Sequence, residues 1–467
     1  MSCHFKYTKE TNLSIPRTAE NNNKIYYEVK IVIKDVEWSV LRRYREFYDF
    51  HEKLTHSEGH VIAKSLLPPK KILGNKNPEF VEQRRKLLEE YIQSLLGLFN
   101  DKLPRAFIEF LEFNKYDIVY LLQDLSHYFC EFGDSLLLTS KEYNLSSLEL
   151  HCISERLCIP CPEADQKDKY DFSHVLDFCS QLDIVSVTPL HAHEATEGCY
   201  YNAVDVPIGK SNLIPKNLKF NMNAFRNIKE LKFYGLSTEN ISDAYFLKTS
   251  LVKFYVHNTT IRQINQVLLC DSVHKDVPNA SDCNVWDKLQ HLDFTGNLIT
   301  SLDESIKLAS KVKTLILDKN RLKSIQCLSS LSNLETLSLA VNLISECLDW
   351  HLQLGNLKTL NLSQNRISTL SGLRKLYSLV NLDLSCNQIE NLEEIDHIAS
   401  LPLLENLKLT ANPLAGSVDY RPRVLARFYD RAPEIILDNE HATGMDLDMA
   451  LVLSALNKAK INVNSIS

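Results

Sequence analysis

The chain has 467 residues, of which 44% are apolar and 24% charged, with a formal net charge of −7. This is the balance of a folded protein of two or three domains, and it excludes disordered and fibrous classes. There is no run of about 18 apolar residues to cross a membrane, and the first residues are too polar for a signal peptide, so a cytosolic protein is expected.

The charge is uneven. Residues 1–114 carry +3 and the remainder −10, so a mildly basic front precedes an acidic back. The excess is too small for non-specific membrane adhesion, because each basic residue contributes only about 1 kcal/mol near an anionic leaflet. The 12 cysteines are scattered without the spacing of a disulfide framework and read as reduced thiols.

In chain order, Lys24 to Ile33 alternates and is rich in β-branched and aromatic residues, which predicts a strand. Glu37 to Tyr44 predicts the next, paired across a turn near Lys34-Asp35. Glu46 to Leu54 has helical spacing, with Phe47, Phe50 and Leu54 on one face. Pro68-Pro69 forces an extended loop. Pro78 to Phe99 repeats every 3.6 residues, with Phe80, Leu87, Leu88, Tyr91, Leu95 and Leu98 expected inward. A shorter helix follows Pro104 and contains Phe107, Phe110 and Leu111.

One constellation here carries chemistry. Arg43-Tyr44, then Lys70 after Leu67-Pro68-Pro69, then Arg84 supply two guanidinium forks, a point charge and an aromatic face. That set suits a phosphorylated sugar ring. Arg42 should point to the opposite sheet face and is expected to be structural. Ile72 and Leu73 could dip into a bilayer or fill the core.

Residues 1 to about 114 resemble a phox-homology (PX) domain, through Arg43-Tyr44 with Phe47, Leu67-Pro68-Pro69-Lys70-Lys71, and Arg84 seven residues before Tyr91. The resemblance implies an α+β module that binds phosphatidylinositol 3-phosphate. By position, it implies that Arg43 grips the 3-phosphate, Tyr44 packs under the inositol ring, Lys70 holds the 1-phosphate and Arg84 reaches ring hydroxyls.

Residues 118–215 are expected to form a mixed, partly helical connector. Tyr116 to Phe132 looks helical, apolar alternation recurs at Leu148 to Ile153, Asp165 to Tyr170 is a charged break, and Val175 to Phe178 is a short helix. Cys158-Ile159-Pro160-Cys161 has half the spacing of a zinc site, with His191, His193 and Cys199 downstream. Without a second such pair they read as loop cysteines and surface histidines, so neither metal nor cofactor is expected.

From about 216 an internal repeat takes over. Leu289, Leu292, Phe294, Asn297, Ile299 and Leu302 set the template, and Asn320, Asn342, Asn365, Asn387 and Asn412 mark its later copies at intervals of 22, 23 or 25 residues. Each copy predicts a short parallel strand whose leucines enter a shared core, with the asparagine satisfying backbone groups at the turn. Two degenerate copies, around Ile228/Leu231/Phe233 and Leu251/Phe254/Val256, occupy 216–286 together with a polar, acidic loop from Asp271 to Trp286. The regular repeats and a C-terminal cap fill 287–438, and a last helix with a polar tail fills 439–467. The fold class is thus multidomain α+β, a three-stranded PX module followed by a leucine-rich-repeat solenoid.

Asp293, Asp318, Asn361 and Asp383 fall on strand positions facing the concave surface, beside Thr314, Thr336, Thr359 and Asn381. On an open, wet face their pKa values should be weakly tuned. They are therefore expected to bind a protein, with a preference for a basic segment, and not to catalyse. No nucleotide-binding, hydrolase or kinase motif is present, so no catalytic residue is assigned and no enzyme is expected. Nothing points to nucleic acid.

The pairing of a PX module with this repeat array, including Leu376 to Leu384 and the cap, resembles the nischarin family. That resemblance implies an endosomal scaffold in cell-migration signalling, engaging Rac-pathway kinases and integrin tails. The chain ends at Ser467, short of the long family members, so partners of their extended C-terminal region, integrin tails above all, are the ones placed in question. The reading left beside it is a lipid-independent regulatory subunit whose repeats bind a phosphatase or kinase.

Overall fold

The computed structural model describes residues 11–57, 61–63, 65–70, 77–99, 103–158, 172–189, 218–273 and 284–464, with side chains described up to 456. Two compact units emerge, one of Met1–Leu182 with Thr188–Ala224 and one of Asp183–Val187 with Phe225–Ser467.

In the first unit, β1 (Thr11–Asn21), β2 (Lys24–Ile33) and β3 (Val36–Arg43) form an antiparallel meander in the order β1-β2-β3. Its inner face carries Val29, Ile31, Trp38 and Val40, all buried, as period-2 alternation requires. Helices α1 (Tyr44–Glu52), α2 (Pro78–Leu98) and α3 (Arg105–Phe110) follow. Phe47, Phe50 and Leu54 are all buried, and the Phe50 ring stacks on Phe110 at 4.2 Å. Asn77 caps α2 by accepting from the Glu79 N–H at 2.9 Å, and Pro78 takes the first helical position.

The buried stripe of α2 differs from the expected one. Leu87 and Leu98 are exposed and Phe80 is half-buried, whereas Val81, Arg84, Leu88, Tyr91, Ile92 and Leu95 face inward. Helical spacing alone admits neighbouring stripes one residue apart, and packing chooses between them. Beyond the module come α4 (Ile118–Thr139), α5 (Ser147–Cys158) and α6 (Ser173–Gln181). The alternation at Leu148 to Ile153 lies inside α5, where 8 of the 12 side chains are buried. A helix enclosed on most sides loses its amphipathic period. Asp165 to Tyr170 lies outside the described residues.

The second unit is a ladder of short parallel strands. β4 (Ile184–Thr188) pairs with β5 (Glu230–Tyr234), and β5 with β6 (Lys253–His257). The series continues through β7 (His291–Asp293), β8 (Thr314–Ile316), β9 (Thr336–Ser338), β10 (Thr359–Asn361), β11 (Asn381–Asp383), β12 (Asn406–Lys408) and β13 (Ile436–Leu437). Leu292, Leu315, Leu337, Leu360, Leu382 and Leu407 stand in register at its centre, all buried.

The asparagines do what the template demands. Asn342 donates to the carbonyls of Leu317 and Leu339 at 3.0 Å each, and its Oδ1 accepts from the Leu322 N–H at 3.0 Å. Asn320, Asn365, Asn387 and Asn412 repeat the pattern, each joining its own copy to the preceding one. The residue before each of them takes a left-handed backbone, with φ of 54° at Lys319 and 56° at Val341, while Gly296 fills that place before Asn297.

The insertion from Asp271 to Trp286 is less loop-like at its ends than its polarity suggested. Asp271 is fully buried and accepts from Lys248 Nζ at 3.0 Å, and Asn284 accepts from the same ammonium at 2.7 Å. Trp286 stacks on Phe254 at 5.7 Å. Residues 274–283 lie outside the described set. At the far end α7 (Tyr420–Leu425) and α8 (Gly444–Asn464) cap the last layer.

Candidate functional site

The sheet of the first unit ends at Arg43, whose N–H donates to Glu46 Oε2 at 2.7 Å as α1 begins. Tyr44 and Tyr48 follow one turn apart on α1, so both can reach the same neighbours. The Tyr44 hydroxyl donates to the Pro68 carbonyl, which ties α1 to the proline loop. Lys70, exposed, sets its ammonium over the Tyr48 ring at 3.3 Å. From α2, Arg84 stacks its guanidinium against Tyr44 at 4.1 Å and Phe80 at 4.3 Å.

Three of the four expected residues are thus joined in a chain of contacts, Arg84 to Tyr44 to the proline loop that ends at Lys70, and Arg43 stands at the head of the same helix. Arg42 is occupied elsewhere, donating to the Phe110 carbonyl at 2.9 Å and to Glu112 at 3.1 Å, as a structural residue should.

The electrostatics are lopsided. Arg84 is 6% exposed, and its Nε and Nη2 find no hydrogen-bond partner. Buried N–H groups of this kind ordinarily find a partner. Burial raises the Tyr44 and Tyr27 hydroxyl pKa values, and the neighbouring Arg84 charge offsets part of each rise. Among the described residues, neither Arg43 nor Lys70 has an ion-pair partner. The cradle is cationic and aromatic, and among the described residues Arg84 Nε and Nη2 have no acceptor, which suits an anion with a flat or ring-shaped body. Ile72 and Leu73 lie outside the described residues. So do Cys161, His191, His193 and Cys199, while Cys158 is exposed. No metal-ligating cluster occurs among the described residues.

The concave face of the repeats corrects one expectation. Asp293 is buried, not wet. Burial works to raise its pKa, but the His257 imidazole 3.0 Å away and hydrogen bonds from Thr295 outweigh it and hold the carboxyl below its ordinary value. Asp318 moves the other way, raised by burial despite bonds from the Ser338 hydroxyl at 2.6 Å and the Ala340 N–H at 2.8 Å. Asp383 accepts from the Ser385 N–H and hydroxyl, and Asn361 from the Ser363 N–H. Asp293, Asn361 and Asp383 end their strands, whereas Asp318 lies two residues past its strand, and all four spend hydrogen bonds on their own or adjacent repeats.

Sequence reasoning missed the aromatic and imidazole patch beside them. The Tyr234 and His257 rings lie 5.4 Å apart, and Tyr255 and His291 5.0 Å. Their signal was the outward-facing positions of the two degenerate repeats. It also missed Tyr48 and Phe80, which hold Lys70 and Arg84.

A family model described as the PX domain matches residues 31–114, and one for leucine-rich repeats (2 copies) matches 355–397. The chain is 38% identical over 74 residues to human kinesin-like protein KIF16B, covering 15% of this chain and 5% of that one. It is 35% identical over 116 residues to rat serine/threonine-protein kinase Sgk3, covering 23% of each. Zebrafish sorting nexin-14 is 48% identical over 59 residues, 13% of this chain and 6% of that one. The chain therefore spans less than a quarter of these relatives. Among solved structures, an internalin from Listeria monocytogenes aligns over 68% of this chain and 95% of its own, with 16% identity and a TM-score of 0.38. A designed CISK-PX domain covers 22% of this chain and 98% of its own, with 28% identity and a TM-score of 0.20.

The fold and site define a class: an N-terminal PX domain followed by a leucine-rich-repeat region. One part is a phosphoinositide-binding module and the other a protein-interaction module. No described helix is long and apolar enough to cross a membrane.

Proposed function

We propose that this chain is a non-enzymatic scaffold that docks on phosphatidylinositol 3-phosphate at the cytoplasmic face of early or recycling endosomes and presents a protein partner on its repeats. The observation that carries the lipid reading is Arg84, buried against Tyr44 with two N–H groups lacking acceptors. Arg43 and Lys70 supply the remaining positive charge. Arg43 would take the 3-phosphate, Lys70 the 1-phosphate, and Arg84 the ring hydroxyls above Tyr44.

The nischarin resemblance supplies the signalling context, in which the repeats engage Rac-pathway kinases or integrin tails and bear on cell migration. Asp293, Asp318, Asn361 and Asp383 are the proposed floor of that protein-binding face.

Co-sedimentation with vesicles carrying each phosphoinositide in turn tests the reading. Arg43→Ala should lose about 10- to 150-fold in affinity for the 3-phosphate lipid, since a charge-assisted bond to phosphate contributes about 1.5–3 kcal/mol. Unchanged binding by that variant would remove the site assignment. Binding to no phosphoinositide would favour the lipid-independent regulatory subunit.

A further inference from the structure

The concave face of the repeats changes character along the ladder. From β7 to β11 its strands include Asp293 and Asp383 but no lysine or arginine, and Asp318 lies just past β8. Other carboxylates on this face are already paired. Glu230 holds Lys232 at 3.0 Å and Lys253 at 3.1 Å, Asp293 holds His257 at 3.0 Å, and Asp383 lies 3.6 Å from Lys408. Asp318 differs. Its Oδ1 accepts from the Ser338 hydroxyl and the Ala340 N–H, but among the described residues it has no ion-pair partner. Burial, together with the Asp293 charge, raises its pKa, and its hydrogen bonds and the exposed Lys319 offset only part of that rise.

Beside it lies the patch of rings on the degenerate repeats. Tyr234 and His257 are 5.4 Å apart, Tyr255 and His257 5.9 Å, and Tyr255 and His291 5.0 Å. All four are half-buried. Strand register sets Tyr255 opposite Asp293, so rings and carboxylates form one continuous surface. Packed aromatic surface of this kind is where interface energy concentrates.

Taking the repeats to be a protein-binding face, as above, we propose that this end of it captures an arginine-bearing segment of a partner protein, with the guanidinium on Asp318 and the segment laid along Tyr255 and His291. Charge complementarity selects a cation. A carboxylate without a counter-charge, with a second carboxylate beside it, repels an acidic segment and is relieved by a basic one. Geometry selects arginine over lysine. Its planar fork gives a carboxylate two parallel hydrogen bonds and stacks on aromatic faces, whereas an ammonium remains a hydrated point charge.

The test passes four pools of random peptides, with arginine, lysine, alanine or glutamate fixed at the centre, over the immobilised full chain. The arginine pool should be retained about tenfold more strongly than the alanine pool, the effect of one charge-assisted pair. It should exceed the lysine pool about threefold. Asp318→Asn keeps an acceptor for Ser338 and Ala340 but loses the charge, so it should abolish the arginine preference with the fold intact. Tyr255→Leu should weaken retention of the arginine pool about threefold. Equal retention of the arginine and alanine pools overturns the proposal, as does an arginine preference that survives Asp318→Asn. If another pool is preferred and Tyr255→Leu abolishes its retention, the arginine site is wrong but the protein-binding face stands. Retention of no pool at all removes both.

Discussion

Replacing Arg84 by Met separates the cost of the proposed lipid site from its use. The guanidinium is 6% exposed, and two of its N–H groups lack acceptors. Each unpaired buried group costs about 1–3 kcal/mol, so the free protein carries roughly 2–6 kcal/mol of unfavourable desolvation at this one side chain. Against it stand two cation–π contacts, to Tyr44 and Phe80, at about 1 kcal/mol each, and the approach to the Tyr27 hydroxyl, at about 1 kcal/mol more. Methionine keeps most of the packing volume and removes the unpaired donors. The free Arg84→Met protein should therefore lie between about 1 kcal/mol less stable and about 3 kcal/mol more stable than the wild type. Its affinity for 3-phosphoinositide vesicles should nevertheless fall about 100-fold, through lost charge-assisted bonds. Hydrogen exchange on peptides covering Pro78–Leu98 reads the first quantity locally, which a whole-chain melt of a two-unit protein does not. Co-sedimentation reads the second. A variant destabilised by more than about 2 kcal/mol would mean that the guanidinium is satisfied in the free protein. Wild-type lipid binding would mean that the cradle serves something else.

Two further outcomes follow from buried polar groups. Asn342→Ala should cost about 2–4 kcal/mol, because the Leu322 N–H and the Leu317 and Leu339 carbonyls lose their partner together; faster exchange at Leu322 and neighbouring strands checks it, and wild-type protection would show that water substitutes. Asp117 caps α4 through the Val119 N–H at 2.8 Å, while its Oδ2 is buried without a partner and its pKa is pushed up to about 6 by that burial. Since the folded value exceeds the unfolded one, the folded state holds the proton more tightly, and this contribution is lost as pH rises from about 4 to 6. Asp117→Asn should keep the cap and raise stability above pH 6 by about 2–3 kcal/mol, read by denaturant unfolding at pH 4.5 and 7.5. An equal effect at both values would refute the linkage.

Much of the repeat unit was legible because its constraint is local and periodic. One leucine pattern every 22 or 23 residues dictates a three-residue strand, and the asparagine's four hydrogen-bonding sites match the turn it closes. The first unit was legible where alternation ran cleanly, as in Lys24–Ile33. It was not legible at Leu87 and Leu98, nor at Leu148–Ile153, where burial depends on which neighbours arrive. Asp293 and Asp383 fall on the expected strands, whereas Asp318 lies two residues past its own, and their surroundings were not legible, since the contacts from Thr295, His257, Ser338 and Ala340 come from turns and adjacent repeats.

By itself, then, the amino-acid order determines the two modules, because strand alternation and repeat length are properties of short stretches, and it nominates Arg43, Tyr44, Lys70 and Arg84 by residue type alone. Only the tertiary structure decided that Arg84 is buried against Tyr44 with donors unspent, that Lys248 and Asp271 pair inside the core, and that Met445, Leu451 and Val452 of α8 stay exposed. Desolvation is the physical reason. Whether a polar atom is satisfied or an apolar one covered depends on every chain segment that packs around it, and no window of sequence contains them all.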